Sequence, residues 1–141
     1  MITPTTIVQQ EAVFARAFGA GDPTLARALY CDDVVYVSPT VRLYGWPTVI
    51  EGVDKTLEFI ALTIARCQDV SYEAVEWAIV EGGGSGGSGD AAFVRIHFDW
   101  THERWQLRSR YVVIYRYRDG RIARQELYYD PSAQPELLTG R

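Results

Sequence analysis

Residues 91–103 read AAFVRIHFDWTHE, residues 104–118 RWQLRSRYVVIYRYR, and residues 120–131 GRIARQELYYDP. These three runs decide the fold. Each alternates, so side chains two positions apart share a face, which is the period of a β-strand. In the first run Val94, Ile96, Phe98 and Trp100 fall on one side, and Arg95, His97 and Asp99 on the other. In the second, Leu107, Ser109, Tyr111, Val113, Tyr115 and Tyr117 oppose Arg108, Arg110, Val112, Ile114, Arg116 and Arg118. Asp119-Gly120 between the second and third runs is a tight-turn signal, so the runs form a long antiparallel sheet. One face of such a sheet must be covered, and the cover has to come from the helical sequence of the N-terminal half.

Working back from the sheet, Pro4-Thr5-Thr6 opens a helix with Ile7, Val8, Ala12, Phe14, Ala15 and Phe18 as its apolar stripe, and Gly19-Ala20-Gly21 ends it. Asp22 caps a second, short helix with Pro23 at its first position and Leu25, Ala26 and Leu29 inward. Residues 34–38 form a short strand stopped by Pro39. A turn-rich connection from Val41 to Gly52 carries Tyr44, Trp46 and Pro47. A third helix runs from about Val53 to Arg66 with Leu57, Ile60, Ala61 and Ile64 at helical spacing, and Val70 to Val80 alternates as a strand. The segment 81–90, EGGGSGGSGD, buries nothing and reads as a flexible Gly/Ser loop, native or engineered, to which no chemistry is assigned. The expected fold class is α+β: a cone-shaped, curved antiparallel sheet with three helices from the N-terminal half on its concave face, a cystatin-like α+β barrel. Such a cone leaves a pocket between sheet and helices.

The 141 residues form one domain, with 48% hydrophobic and 13% aromatic residues. A net charge of −4 and a pI near 5.1 argue against general nucleic-acid binding. No run of ~18 apolar residues predicts a membrane span, and the N-terminus lacks the pattern of a signal peptide. Cys31 and Cys67 form no CxxC pair and read as reduced cysteines of a cytoplasmic protein. Neither a metal-ligand cluster, a nucleotide-phosphate loop nor a G-x-S-x-G elbow is present, so neither metal nor cofactor is expected.

The stretches AGDPTLARALYCDDVVYVSP, IEGVDKTLEFI and YRYRDGRIARQELYYDP, with the element order, resemble the nuclear transport factor 2-like superfamily, nearest its SnoaL-like branch. The resemblance implies the cone fold, and a function among isomerases, cyclases, dehydratases, epoxide hydrolases and binding proteins. Ketosteroid isomerases of this fold use a carboxylate base after the first strand and a tyrosine and an aspartic acid as oxyanion donors. Ungapped matching puts Ser38 at the base and Phe14 at the tyrosine, with no acid near Val113, so that activity is not expected. Against limonene-type epoxide hydrolases, Tyr36 and Arg95 fall on the tyrosine and arginine. Ser38 replaces the asparagine, and His97 and Leu127 replace the two carboxylates.

In that family register Tyr36, Ser38, Arg95 and His97 face one another, with His97 as proton-transfer group, Arg95 as anion stabiliser and Tyr36 as hydrogen-bond donor. Phe14, Phe18, Ser38, Trp46, Phe59, Tyr111, Leu127 and Tyr129 would line the substrate pocket. The resemblance thus implies a cofactor-independent cyclase, isomerase or dehydratase acting by acid–base chemistry on a hydrophobic, cyclic or polyketide-like molecule. The alternatives are a non-catalytic binding or dimerisation domain and, more weakly, an epoxide hydrolase. A homodimer through the outer sheet face is expected. Plain alternation gives the opposite placement for Arg95, His97 and Asp99: with Val94, Ile96, Phe98 and Trp100 inward, the three polar side chains lie outside.

Overall fold

The computed structural model describes residues 2–39, 41, 45–82 and 90–130, and the backbone of 136–137. Tyr44, most of the Gly/Ser segment and Pro131 lie outside these residues. In chain order the elements are helix α1 (Pro4–Ala20), a 3-10 helix (Pro23–Leu29), strands β1 (Tyr30–Val37) and β2 (Val49–Glu51), and helix α2 (Val53–Ile64). Strands β3 (Gln68–Val80), β4 (Ala91–His102), β5 (Trp105–Arg118), β6 (Arg121–Tyr129) and β7 (Glu136–Leu137) follow. The strands make one sheet in the order β2-β1-β6-β5-β4-β3, with β7 beside β5. The expected α+β cone is what forms. All pairings along it are antiparallel except β1 with β6, which is parallel and sets Tyr36 beside Gln125.

Local chemistry accounts for the element ends. Thr3 and Thr6 form a reciprocal capping box at the start of α1, with Pro4 in the first turn. Gly21 adopts φ 67°, and the N–H groups of Gly21 and Asp22 return to Phe18 and Ala17, which closes the helix in a Schellman motif. The Asp22 side chain accepts from the Thr24 N–H as predicted, but the segment it caps winds as a 3-10 helix. Its Pro23 and Ala26 are buried while Leu25 is exposed, contrary to the inward reading of Leu25. Asp119 and Gly120 both have positive φ, as a two-residue type I′ hairpin requires, and join β5 to β6.

Two details of α1 differ from the expected stripe. Val8 and Ala12 are exposed, and the buried face runs through Ile7, Gln10, Glu11, Phe14 and Ala17. The helix therefore turns a glutamine and a glutamate into the protein. The N-terminus is fixed by Asp90, whose carboxylate accepts from the backbone N–H of Ile2 at 2.7 Å and of Gly82 at 3.0 Å. These two donors hold the Asp90 carboxyl below its ordinary range. No described helix is long and apolar enough to cross a membrane.

Candidate functional site

Between α1, α2 and the inner face of the sheet lies a cavity of about 350 Å³. Phe18 of α1 and Phe59, Ile60 and Ile64 of α2 form its helical side, and Phe98, Trp100, Leu107, Val113 and Leu127 much of its sheet side. Strand alternation decides what faces it. Val94 and Ile96 are wholly buried in the core, and Phe98 and Trp100, two and four positions on, enter the cavity wall. Simple patterning is therefore the correct guide to β4.

The same alternation carries Arg95 and His97 to the opposite face, which corrects the family-register placement. Arg95 is exposed and pairs with Glu76 of β3 at 2.5 Å. His97 sits in the sheet between Glu73 and Arg110, and Asp99 pairs with Arg110 at 2.6 Å rather than with His97. The set Tyr36, Ser38, Arg95 and His97 is thus not brought together, because burying the row of Arg95, His97 and Asp99 in place of the apolar row would leave charged groups desolvated. The epoxide-hydrolase alternative loses its arginine to the outer face by the same step.

Six of the sequence-predicted residues do line the cavity: Phe18, Tyr36, Phe59, Tyr111, Leu127 and Tyr129. Three stand behind it. Phe14 is buried against Phe18, Tyr30 and Tyr115. Ser38 is buried beside Tyr36, and Trp46 packs on the far side of Phe59 with ring centroids 5.4 Å apart.

Four tyrosines, Tyr36, Tyr72, Tyr111 and Tyr129, share the wall with Thr63, Ser109 and Gln125 as its polar side chains. Tyr36 of β1, Tyr111 of β5 and Tyr129 of β6 converge, with the Tyr111 and Tyr129 rings 4.9 Å apart. Burial first, and then the neighbouring tyrosines, push the Tyr36 and Tyr111 hydroxyls well above the ordinary phenol range. They therefore stay protonated and act as neutral hydrogen-bond donors. The Thr63 hydroxyl is committed to the Ile60 carbonyl at 2.8 Å. Burial raises the Cys67 thiol to about 11, which leaves it unreactive. Among the described residues no charged side chain lines the cavity, and no three His, Cys, Asp or Glu side chains gather as a metal site.

A second polar cluster abuts the wall, and the sequence reading missed it. Glu11 is only 6% exposed. Its carboxyl accepts from Tyr72 Oη at 2.5 Å and from Gln10 Nε2 at 2.8 Å, while Tyr117 Oη donates to Gln10 Oε1 at 2.7 Å. The Tyr115 hydroxyl lies beside the same carboxyl without a hydrogen bond of good geometry, the one such enclosed side-chain atom among the described residues. Burial raises the Glu11 carboxyl above its ordinary range, and the neighbouring donors Gln10, Tyr72 and Tyr115 only partly oppose that. Tyr72 belongs to the cavity wall, so this acid is one side chain removed from the space. Its signal in the sequence is spacing: Ile7, Glu11, Phe14 and Phe18 occupy one helical stripe.

Residues 11–125 match the family described as the SnoaL-like domain. The chain belongs to the SnoaL-like family. Solved structures of the same fold include TsrD from Streptomyces laurentii, at TM-score 0.71 and 17% identity over 92% of both chains. A SnoaL-like protein of unknown function from Burkholderia thailandensis has TM-score 0.66 and 17% identity, covering 92% of this chain and 99% of its own. A protein with a ketosteroid isomerase-like fold from Catenulispora acidiphila, in complex with trimethylamine, has TM-score 0.67 and 16% identity over 94% of this chain and 90% of its own. At these identities the likeness is one of fold. No curated protein matches the chain. The SnoaL-like family includes isomerases and cyclases.

Proposed function

We propose that this protein is a cofactor-independent enzyme that isomerises, cyclises or dehydrates a neutral, hydrophobic, cyclic or polyketide-like molecule by acid–base chemistry in this cavity. The observation that carries the reading is the convergence of Tyr36, Tyr111 and Tyr129 in a space with no charged side chain on its described wall. A ring ketone held there would have its oxygen against tyrosyl hydroxyls. Those hydrogen bonds strengthen as the oxygen gains charge on enolisation, and more so where water is excluded. The carbon-bound proton needs an acceptor. Tyr72, hydrogen-bonded to Glu11, is the route we assign: its oxygen takes the proton as its own hydroxyl proton passes to an ionised Glu11. A carboxyl raised by burial is a better base than an ordinary one.

The test is deuterium uptake. Cyclic ketones incubated with the protein in D2O should exchange the hydrogens next to the carbonyl, followed by proton NMR. Glu11→Gln and Tyr36→Phe should each slow the exchange by roughly a hundredfold, the lower end of what one general acid or base contributes. A second reading, a non-catalytic binding domain, is favoured by the absence of any charged side chain on the described wall. Saturable ketone binding with no exchange above solvent rate would select it and reject the enzyme.

A further inference from the structure

On β6, the alternation that brings Leu127 and Tyr129 to the cavity brings Gln125 there as well. Gln125 is 6% exposed and stands deep in the sheet, with Tyr36 beside it on β1 and Tyr115 opposite on β5. One end of its amide is taken: the wholly buried Tyr30 hydroxyl donates to Gln125 Oε1 at 2.6 Å. A phenol is a far better donor than acceptor, because its oxygen lone pair is drawn into the ring, so this pairing sets the carbonyl end toward Tyr30. The other end, Nε2, has no hydrogen-bond partner among the described residues, yet it is not among the enclosed atoms left without one. It opens onto the cavity.

A buried amide N–H2 with nothing to donate to is costly unless something supplies an acceptor. Around it the wall is built largely of apolar and aromatic side chains, and Tyr30 already occupies its Oε1. We infer that Gln125, fixed by Tyr30, is the specificity-determining anchor of the cavity and selects an uncharged ligand with a carbonyl oxygen at its inner end, in preference to the corresponding alcohol or hydrocarbon. The inference rests on the reading of the cavity as a site for a hydrophobic cyclic molecule. A carboxylate or ammonium group is disfavoured there, since nothing charged on the described wall would replace its hydration. An alcohol presents its weaker acceptor to Nε2 and leaves its own proton without a partner at this point.

The experiment titrates the protein with 1-tetralone, 1-tetralol and tetralin, read by the fluorescence of Trp100 in the wall and by NMR. Wild type should bind the ketone most tightly. Gln125→Leu should lose roughly tenfold in ketone affinity, the worth of one neutral hydrogen bond, and keep its tetralin affinity. Tyr30→Phe frees the amide to turn and should erase the preference for ketone over alcohol while leaving tetralin unchanged. That ratio decides the matter if Gln125→Leu does not fold. Equal losses for ketone and hydrocarbon, or an unaltered ketone-to-alcohol ratio in Tyr30→Phe, would overturn the anchor while the pocket reading stands. Failure of all three compounds to bind wild type would remove the pocket reading and the anchor together.

Discussion

Replacing Glu11 by glutamine should make the protein more stable at neutral pH, and by an amount that depends on pH in a defined way. Burial among Gln10, Tyr72 and Tyr115 raises the folded-state pKa of Glu11 above its ordinary value of 4.5, so the folded protein binds this proton more tightly than the unfolded chain does. The associated stability is fully present below the unfolded value. It is lost as the pH rises through the folded one, because over that window the native state holds a proton that the unfolded state has released. One proton corresponds to a slope of about 1.4 kcal/mol per pH unit. For a domain of this size that is roughly 4–6 °C in melting temperature per unit.

The substituted amide does not titrate, keeps the shape of the side chain, and offers an N–H to the Tyr115 oxygen that now lacks a partner. The assay is urea unfolding of both proteins in steps between about pH 4 and pH 9, a range that spans the ordinary carboxylate value and the raised one. Differences between the two curves cancel the carboxylates they share, including Asp90 and Glu126. The stability of Glu11→Gln relative to wild type should begin to climb near pH 4.5, the ordinary value for this carboxyl, and then level off. A difference that stays constant across the range would refute the argument, since it would mean that Glu11 has the same pKa folded and unfolded.

His97→Ala and Arg95→Ala should leave ketone affinity and deuterium exchange within about twofold of wild type, because both side chains lie on the outer face; a large loss in either would return them to the site. Phe14→Ala should cost about 3–5 kcal/mol, measured by chemical unfolding, since it empties a position enclosed by Phe18, Tyr30 and Tyr115. Asp90→Ala should lower stability at pH 7 and converge with wild type as the pH falls. The Asp90 pKa is depressed in the folded state, so its contribution is present above its ordinary value of 3.8 and is lost on acidification.

The β4 segment shows how far the sequence can be read. Its alternation alone places Val94, Ile96, Phe98 and Trp100 inward, and the structure agrees. The contrary placement comes from transferring a family register onto Arg95 and His97. A strand has period two, so a one-residue error in such a transfer moves every side chain to the other face. Phe18 is legible because apolar residues at helical spacing point to one core, and Phe59 because a large aromatic ring belongs in it. The same family register that misplaces Arg95 and His97 turns Leu127 and Tyr129 inward, where they lie. Glu11 and Gln125 are not legible, because a polar residue within an apolar stripe reads as a break in the pattern until its partners are known. Those partners, Tyr72 for Glu11 and Tyr30 for Gln125, come from distant strands that only the folded chain brings near. The 3-10 winding after Asp22 is beyond reach for another reason: the cap is the same whichever helix follows.

The parallel seam between β1 and β6 has a consequence for how the protein is made. Synthesis delivers both helices and β1, with Phe18, Tyr36 and Phe59 needing cover, well before β6, which joins β1 to the long hairpins. Pairing of such distant segments is slow, and apolar surface left waiting is prone to aggregate. The nascent chain must therefore carry part of its future cavity wall uncovered until β3 to β6 have followed. A chain carrying β1 to β5 without β6 would be a half-built cone, a natural client for chaperones that bind nascent chains.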